Sequence, residues 1–120
     1  MKIGKLAEVT GVPASSIRFY EKHGLIPQPE RQENGYRDYP DAMISRLRTI
    51  AMSKSLGFSL SEIRRFLPDN PENEIARPDV IANLENKLID VDQKIRDLHE
   101  IRQSLTGMID YLNDPDSKAC

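Results

Sequence analysis

The sequence holds one cysteine, Cys120, no tryptophan, four tyrosines, three phenylalanines and no long apolar run. A single cysteine excludes an internal disulfide framework. No stretch approaches the roughly 18 consecutive apolar residues a membrane helix needs, and Met1 opens into polar, amphipathic sequence, so no membrane association, no secretory leader and a cytoplasmic location are expected. Two histidines, no glycine-rich phosphate loop and no metal quartet leave acid–base or nucleophilic chemistry without a convergent residue set, so no enzyme is expected. Hydrophobic residues make up 38% of the 120. A chain this lean, if extended, buries too little surface alone, which points to oligomerisation.

The net charge of −2 conceals a division. Residues 1–67 carry 11 basic and 7 acidic side chains, a net +4, whereas residues 68–120 carry 6 and 12, a net −6. A basic front and an acidic back often accompany nucleic-acid binding by one half of a chain.

Glycine and proline punctuate the front half into short segments with helical apolar spacing: Ile3–Thr10, Ala14–His23, Asp41–Leu56 and Ser59–Leu67. Ser59-Leu60-Ser61-Glu62 is a capping box. Between the second and third segments, Asn34-Gly35 flanked by extended residues predicts a β-hairpin with a tight turn. Residues 68–78, with three prolines and several acids, read as a linker. From Asp79 to Leu112 no proline interrupts. Counting in sevens from Ile81 gives Leu84, Leu88, Val91, Ile95, Leu98, Arg102, Leu105, Ile109 and Leu112, a seam apolar everywhere except Arg102. Such a helix runs to about 50 Å, too long to lie along a 67-residue head, and its economical partner is a second copy. Packing against its own head is the alternative. The expected organisation is a head at 1–67, a linker at 68–78, a dimerisation helix at 79–112 and a polar tail at 113–120.

Within the head, Ile3–His23 has helix-turn-helix dimensions, with the turn at Thr10-Gly11-Val12. The second helix of such a unit carries side chains into the major groove. Ser15, Ser16, Arg18, Phe19 and Lys22 would face outward, while Ile17 and Tyr20 lean toward the core or the groove edge. Arginine pairs bidentately with guanine or clamps a phosphate, and serine hydroxyls suit bases or phosphates. A helical hairpin with a solvated polar face fits the same spacing. The predicted β-hairpin adds Arg31, Asn34, Tyr36 and Arg37, cations and phenols suited to phosphate oxygens. One of Tyr36 and Tyr39 is expected in the core.

These residues also carry a family resemblance. Ile3-Gly4-Lys5-Leu6-Ala7, Gly11-Val12, Ile17-Arg18-Phe19-Tyr20-Glu21, Gly24-Leu25-Ile26-Pro27, Asn34-Gly35-Tyr36-Arg37-Asp38-Tyr39, Arg46-Leu47 and Leu56-Gly57-Phe58-Ser59-Leu60 make the chain resemble the MerR family of bacterial transcription regulators. The resemblance implies a mainly α fold: a winged helix-turn-helix with a small β-hairpin wing, then a long helix forming an antiparallel coiled coil in a dimer. It implies double-stranded promoter DNA and RNA polymerase as partners, and over-long promoter spacers corrected by bending and untwisting, so that specificity rests partly on DNA deformability. Arg18 and Tyr20 match its recognition helix, Arg31, Tyr36 and Arg37 its wing, and Lys54 and Ser59 the approach of the second helix pair to the backbone. Pro13 departs from the pattern, where a small polar N-cap is usual, and helix 2 is expected to begin there.

No cofactor is required by this reading, and the effector, a metal or a small molecule if there is one, stays open. Metal-responding relatives place cysteines at the start of the long helix and in the loop after it. This chain has Arg77-Pro78-Asp79 at the first place, and Cys120 is the single candidate thiolate at the second. One thiolate is a poor site for a soft cation, even with Asp114, Asp116 or His99 nearby. His99 is expected on a solvated helix face. An architectural or excisionase-like DNA binder and a coiled-coil adaptor are the competing classes.

Overall fold

The computed structural model describes residues 1–31, 33, 35 and 37–116, with Glu30 and Arg31 described by their backbone alone. Among these, the element order is α1 (Ile3–Thr10), α2 (Ala14–Lys22), β1 (Glu30–Arg31), β2 (Arg37–Asp38), α3 (Ala42–Ser55), α4 (Leu60–Phe66) and α5 (Arg77–Asn113). The fold is therefore mainly helical, with one two-stranded antiparallel sheet.

Helix α1 stops at Gly11, whose φ of 74° permits the left-handed C-cap and directs its N–H to the Ala7 carbonyl at 2.9 Å. The Thr10 hydroxyl donates to the Leu6 carbonyl and accepts from the Val12 N–H, so the turn into α2 is hydrogen-bonded on both sides. Pro13 is the N-cap of α2 rather than its first helical residue: its ψ of 145° is extended, and its carbonyl accepts the Ile17 N–H. Proline carries no side-chain acceptor, so the first-turn N–H groups of α2 receive no side-chain cap from it. Helix α4 begins with the expected box. Glu62 N–H donates to Ser59 Oγ at 3.2 Å and Ser59 N–H to Glu62 Oε1 at 3.0 Å.

Leu6, Ile17, Leu25, Ile26, Tyr39, Met43, Leu47, Ile50 and Ile63 are sequestered in one core, joined by Val12, Phe58 and Leu67. Phe58 meets Phe66 edge-on at 5.4 Å. The helical spacing of the sequence thus converts directly into a shared apolar interior. Ala51, apolar and in phase, is exposed. Arg46 fastens the loops around this core, its Nε donating to the Leu25 carbonyl at 2.7 Å and its Nη1 to the Pro68 carbonyl at 2.6 Å. Desolvation holds the guanidinium pKa below its ordinary value, with Asp69 opposing that effect.

Two compact units result, Met1–Val80 and a second beginning at Ile81. The first reaches past the expected boundary at residue 67 because Ile75 packs against the head core and Pro68 is tied to Arg46. Residues 68–78 fall within the first unit. Helix α5 starts at Arg77, two residues before Asp79, because proline is accommodated in a first turn. It ends at Asn113, and none of its residues is buried. The seam side chains range from 39% exposed at Val91 to 66% at Leu98.

Candidate nucleic-acid interface

On α2, Ser15, Arg18, Phe19 and Lys22 are exposed, at the i, i+3, i+4 and i+7 positions of one helix face. Ser16 is half-buried. So is Tyr20, which packs against the core that Ile17 anchors on the opposite face. The Phe19 ring, 43% exposed, lies 4.2 Å from the His23 ring and 5.9 Å from Tyr20, edge-on to the latter. His23 was not singled out from the sequence as part of this surface, although its i+4 spacing from Phe19 carries the signal. The Arg64 guanidinium donates to the His23 carbonyl, tying the end of α2 to α4.

Behind that face Glu21 is buried, and its carboxylate organises the wing. Arg37 Nη1 donates to Glu21 Oε2 at 3.0 Å, and the Tyr39 hydroxyl donates to the same oxygen at 3.4 Å. Burial, ahead of the flanking charges, lifts the Tyr39 phenol above its ordinary pKa, which keeps it a donor. Tyr39 N–H donates to the Met1 carbonyl at 2.7 Å, while the Met1 amino group meets Asp38 Oδ1 at 2.8 Å. The chain before α1, helix α2 and strand β2 are thereby joined. Sequence reasoning assigned Arg37 to phosphate alone. The structure commits one of its nitrogens to Glu21, and the guanidinium fork retains further donors. Glu21 itself was missed: an acid on a basic surface reads as solvated until the fold brings residue 37 to it.

Strands β1 and β2 pair antiparallel in the register Glu30↔Asp38 and Arg31↔Arg37, so the Arg31 and Arg37 backbones stand opposite each other beside the connecting segment. Gly35 takes a positive φ of 83°, and the tight turn expected at Asn34-Gly35 falls partly outside the described residues. Asn34 and Tyr36 lie outside the described residues. Tyr39 is the core tyrosine, 1% exposed.

Lys54 is exposed in the last turn of α3. Ser59 is exposed too, but its hydroxyl is engaged by the α4 cap and lies 3.2 Å from Ser61 Oγ. Arg48, on α3, donates to the Val9 carbonyl of α1 at 3.1 Å. Among the described residues no group of three or more His, Cys, Asp and Glu side chains could hold a metal ion, and Cys120 lies outside them. His99 is exposed on α5, with Nε2 3.3 Å from Gln103 Nε2. No helix of the described residues is long and apolar enough to cross a membrane.

Comparison with known proteins agrees with this geometry. Residues 1–70 match the family model described as MerR HTH family regulatory protein, and residues 44–108 match the one described as MerR, DNA binding. The HTH-type transcriptional regulator HmrR of Rhizobium leguminosarum bv. viciae is 39% identical over 120 residues, spanning 100% of this chain and 92% of that protein. Among solved structures, the transcription regulator PbrR691 of Ralstonia metallidurans CH34, in complex with lead(II), superposes with a TM-score of 0.78 at 28% identity, covering 100% of this chain and 94% of the other. HiNmlR, a MerR family regulator lacking the sensor domain and bound to promoter DNA, gives 0.61 at 28% identity, covering 93% and 85%.

Proposed function

The chain belongs to the MerR family of HTH regulatory proteins, and we propose that it is a promoter-binding transcription regulator working as a homodimer in the bacterial cytoplasm, at the nucleoid. The observation that carries this reading is the exposed Ser15–Arg18–Phe19–Lys22 face of α2, braced through buried Glu21 to a wing with arginines on both strands. In this reading α2 enters the major groove, where Arg18 and Ser16 meet base edges or the phosphates beside them. Lys22, Lys54, Arg31 and Arg37 meet phosphates, with Asn34 and Tyr36 at the wing tip and Ser59 near the backbone. Tyr20 sits between core and groove edge.

Two heads joined through α5 hold two half-sites at once. By bending and untwisting an over-long spacer, they bring its promoter elements into line for RNA polymerase, so that activation depends on the deformability of base pairs the protein does not touch. An effector would act by changing the relation between heads and coiled coil.

Footprinting and transcription in vitro on the promoter beside the chain's own gene test the proposal together. Binding should weaken steeply with salt, because several phosphate contacts per head release counterions. Arg37→Ala should weaken all sequences alike, and Arg18→Ala should change which sequence is preferred. A flat salt response contradicts DNA binding. Bent DNA with unchanged transcription identifies an architectural binder instead.

A further inference from the structure

A carboxylate lies behind the face that would meet phosphate, and its contacts give it a use there. Glu21 falls between Arg18 and Lys22 in the sequence of α2, yet its side chain is 7% exposed and shares the inward face of Ile17. Its Oε2 accepts from Arg37 Nη1 at 3.0 Å and from the Tyr39 hydroxyl at 3.4 Å. We propose that Glu21 is a positioning residue for DNA binding: without touching DNA, it favours the complex by holding the Arg37 guanidinium of the wing ready for a phosphate while α2 lies in the groove. The inference rests on the promoter-binding reading above and assigns Glu21 a role within that site.

Electrostatics alone predicts the opposite sign. A negative charge behind a phosphate-binding face repels DNA, so deleting it should tighten binding. The geometry makes positioning the larger effect. Strand pairing fixes where the backbone of residue 37 stands, but four rotatable bonds separate that backbone from its guanidinium. The bond to Glu21 removes this freedom before DNA arrives. Because the guanidinium is planar and rigid, fixing one nitrogen orients the others, and five N–H donors leave several beyond the one that bond uses.

The acceptor is itself anchored. Glu21 is carried by a helix whose Ile17 is fully buried, and Tyr39, 1% exposed, holds the same oxygen from the core. The Arg37 side chain, by contrast, is 36% exposed, so the pair runs from the interior to the surface. Seen from solvent, the carboxylate's field is largely cancelled by the guanidinium 3.0 Å away. What remains is screened by salt over about 8 Å. The repulsion removed by neutralising Glu21 is therefore small beside the order lost at Arg37. Contacts made by α2 and by the wing become one coupled event rather than two.

Anisotropy titrations of the full chain test the role, on the promoter duplex beside its own gene and on an unrelated duplex, between about 50 and 200 mM salt. Glu21→Gln keeps the shape and an acceptor oxygen but loses the charge that holds the guanidinium. It should weaken both duplexes about 3- to 10-fold and lower the salt slope by about one for each head. Arg37→Ala should weaken both as well, and the double variant should bind within about twofold of Arg37→Ala, since both changes remove the same contact. Urea unfolding of each variant establishes that the head is folded. Glu21→Gln binding as tightly as the parent, or more tightly, overturns the proposal, as do losses that add in the double variant or a salt slope left unchanged. A loss confined to the promoter duplex overturns it too, by placing Glu21 in base recognition. Arg37→Lys provides a second test should Glu21→Gln fail to fold. It keeps the charge without the fork that bridges carboxylate and phosphate, so binding about 3- to 10-fold weaker is expected, and parental affinity overturns the proposal. A parent chain whose affinity for both duplexes is flat across that salt range overturns the promoter-binding reading itself, a result distinct from a misassigned Glu21.

Discussion

Leu6, Ile17, Met43, Leu47, Ile50 and Ile63 of the head are each 0% exposed, whereas no residue of α5 is buried and Leu88, Leu98 and Leu105 are 60% exposed or more. The two regions have similar helical patterning but satisfy it differently. Head helices of 7 to 14 residues turn back on one another and bury their apolar stripes within one chain. The 37-residue α5 keeps its stripe for an external surface. Its own side-chain pairs include Gln93 to Asp97 at 2.9 Å and Lys87 to Asp90 at 4.0 Å. At about 0.2–0.5 kcal/mol each, such pairs do not hold a long helix in water. Covering a leucine contributes about 1.5–3 kcal/mol, so the head should be stable by intramolecular packing and α5 by association.

The largest effect should come from charging the seam. Leu88→Glu should weaken dimerisation by more than about 100-fold in sedimentation, since it replaces a seam leucine with a carboxylate in each copy. The head's unfolding transition should persist; if the head unfolds too, the two regions are not independent. Leu47→Ala should do the reverse, costing the head about 2–5 kcal/mol in denaturant unfolding through the cavity it leaves, while α5 still associates.

A smaller, functional separation is expected at α2. Arg18→Ala should reduce discrimination between the preferred site and its variants by about 1–3 kcal/mol in competition binding, with little change in stability or dimerisation. An equal loss on every sequence would reassign Arg18 to phosphate.

Smallest is a pH effect confined to the head. Tyr39 has a raised pKa in the folded state, so its contribution is fully present below the unfolded phenol value of 10.0 and is lost as pH rises through the folded one. Head stability should fall in that alkaline range, and Tyr39→Phe should remove this part of the fall. A slope unchanged in Tyr39→Phe would show that another group titrates there.

Much of this was readable in order along the chain. The Ile3–Thr10 helix, the Ser59–Glu62 box and the α5 seam follow from periodicity and capping, which are local properties. The contacts that join elements were not readable. The role of Glu21 is not local, because its partners Arg37 and Tyr39 lie 16 and 18 residues away. Arg46 likewise bonds carbonyls 21 and 22 residues distant. Residues 68–78 looked like a tether because proline and acid content reports local stiffness and solvation, not that Ile75 finds an apolar site.

Sequence alone therefore determined which segments are helical, which faces are apolar, and that a basic front is joined to an acidic helical back, since these depend on neighbours within a few positions. Tertiary structure decided which charged residues are surface and which are framework. A buried carboxylate is tolerable only where cations and donors converge on it, and convergence from distant positions is a property of the folded chain.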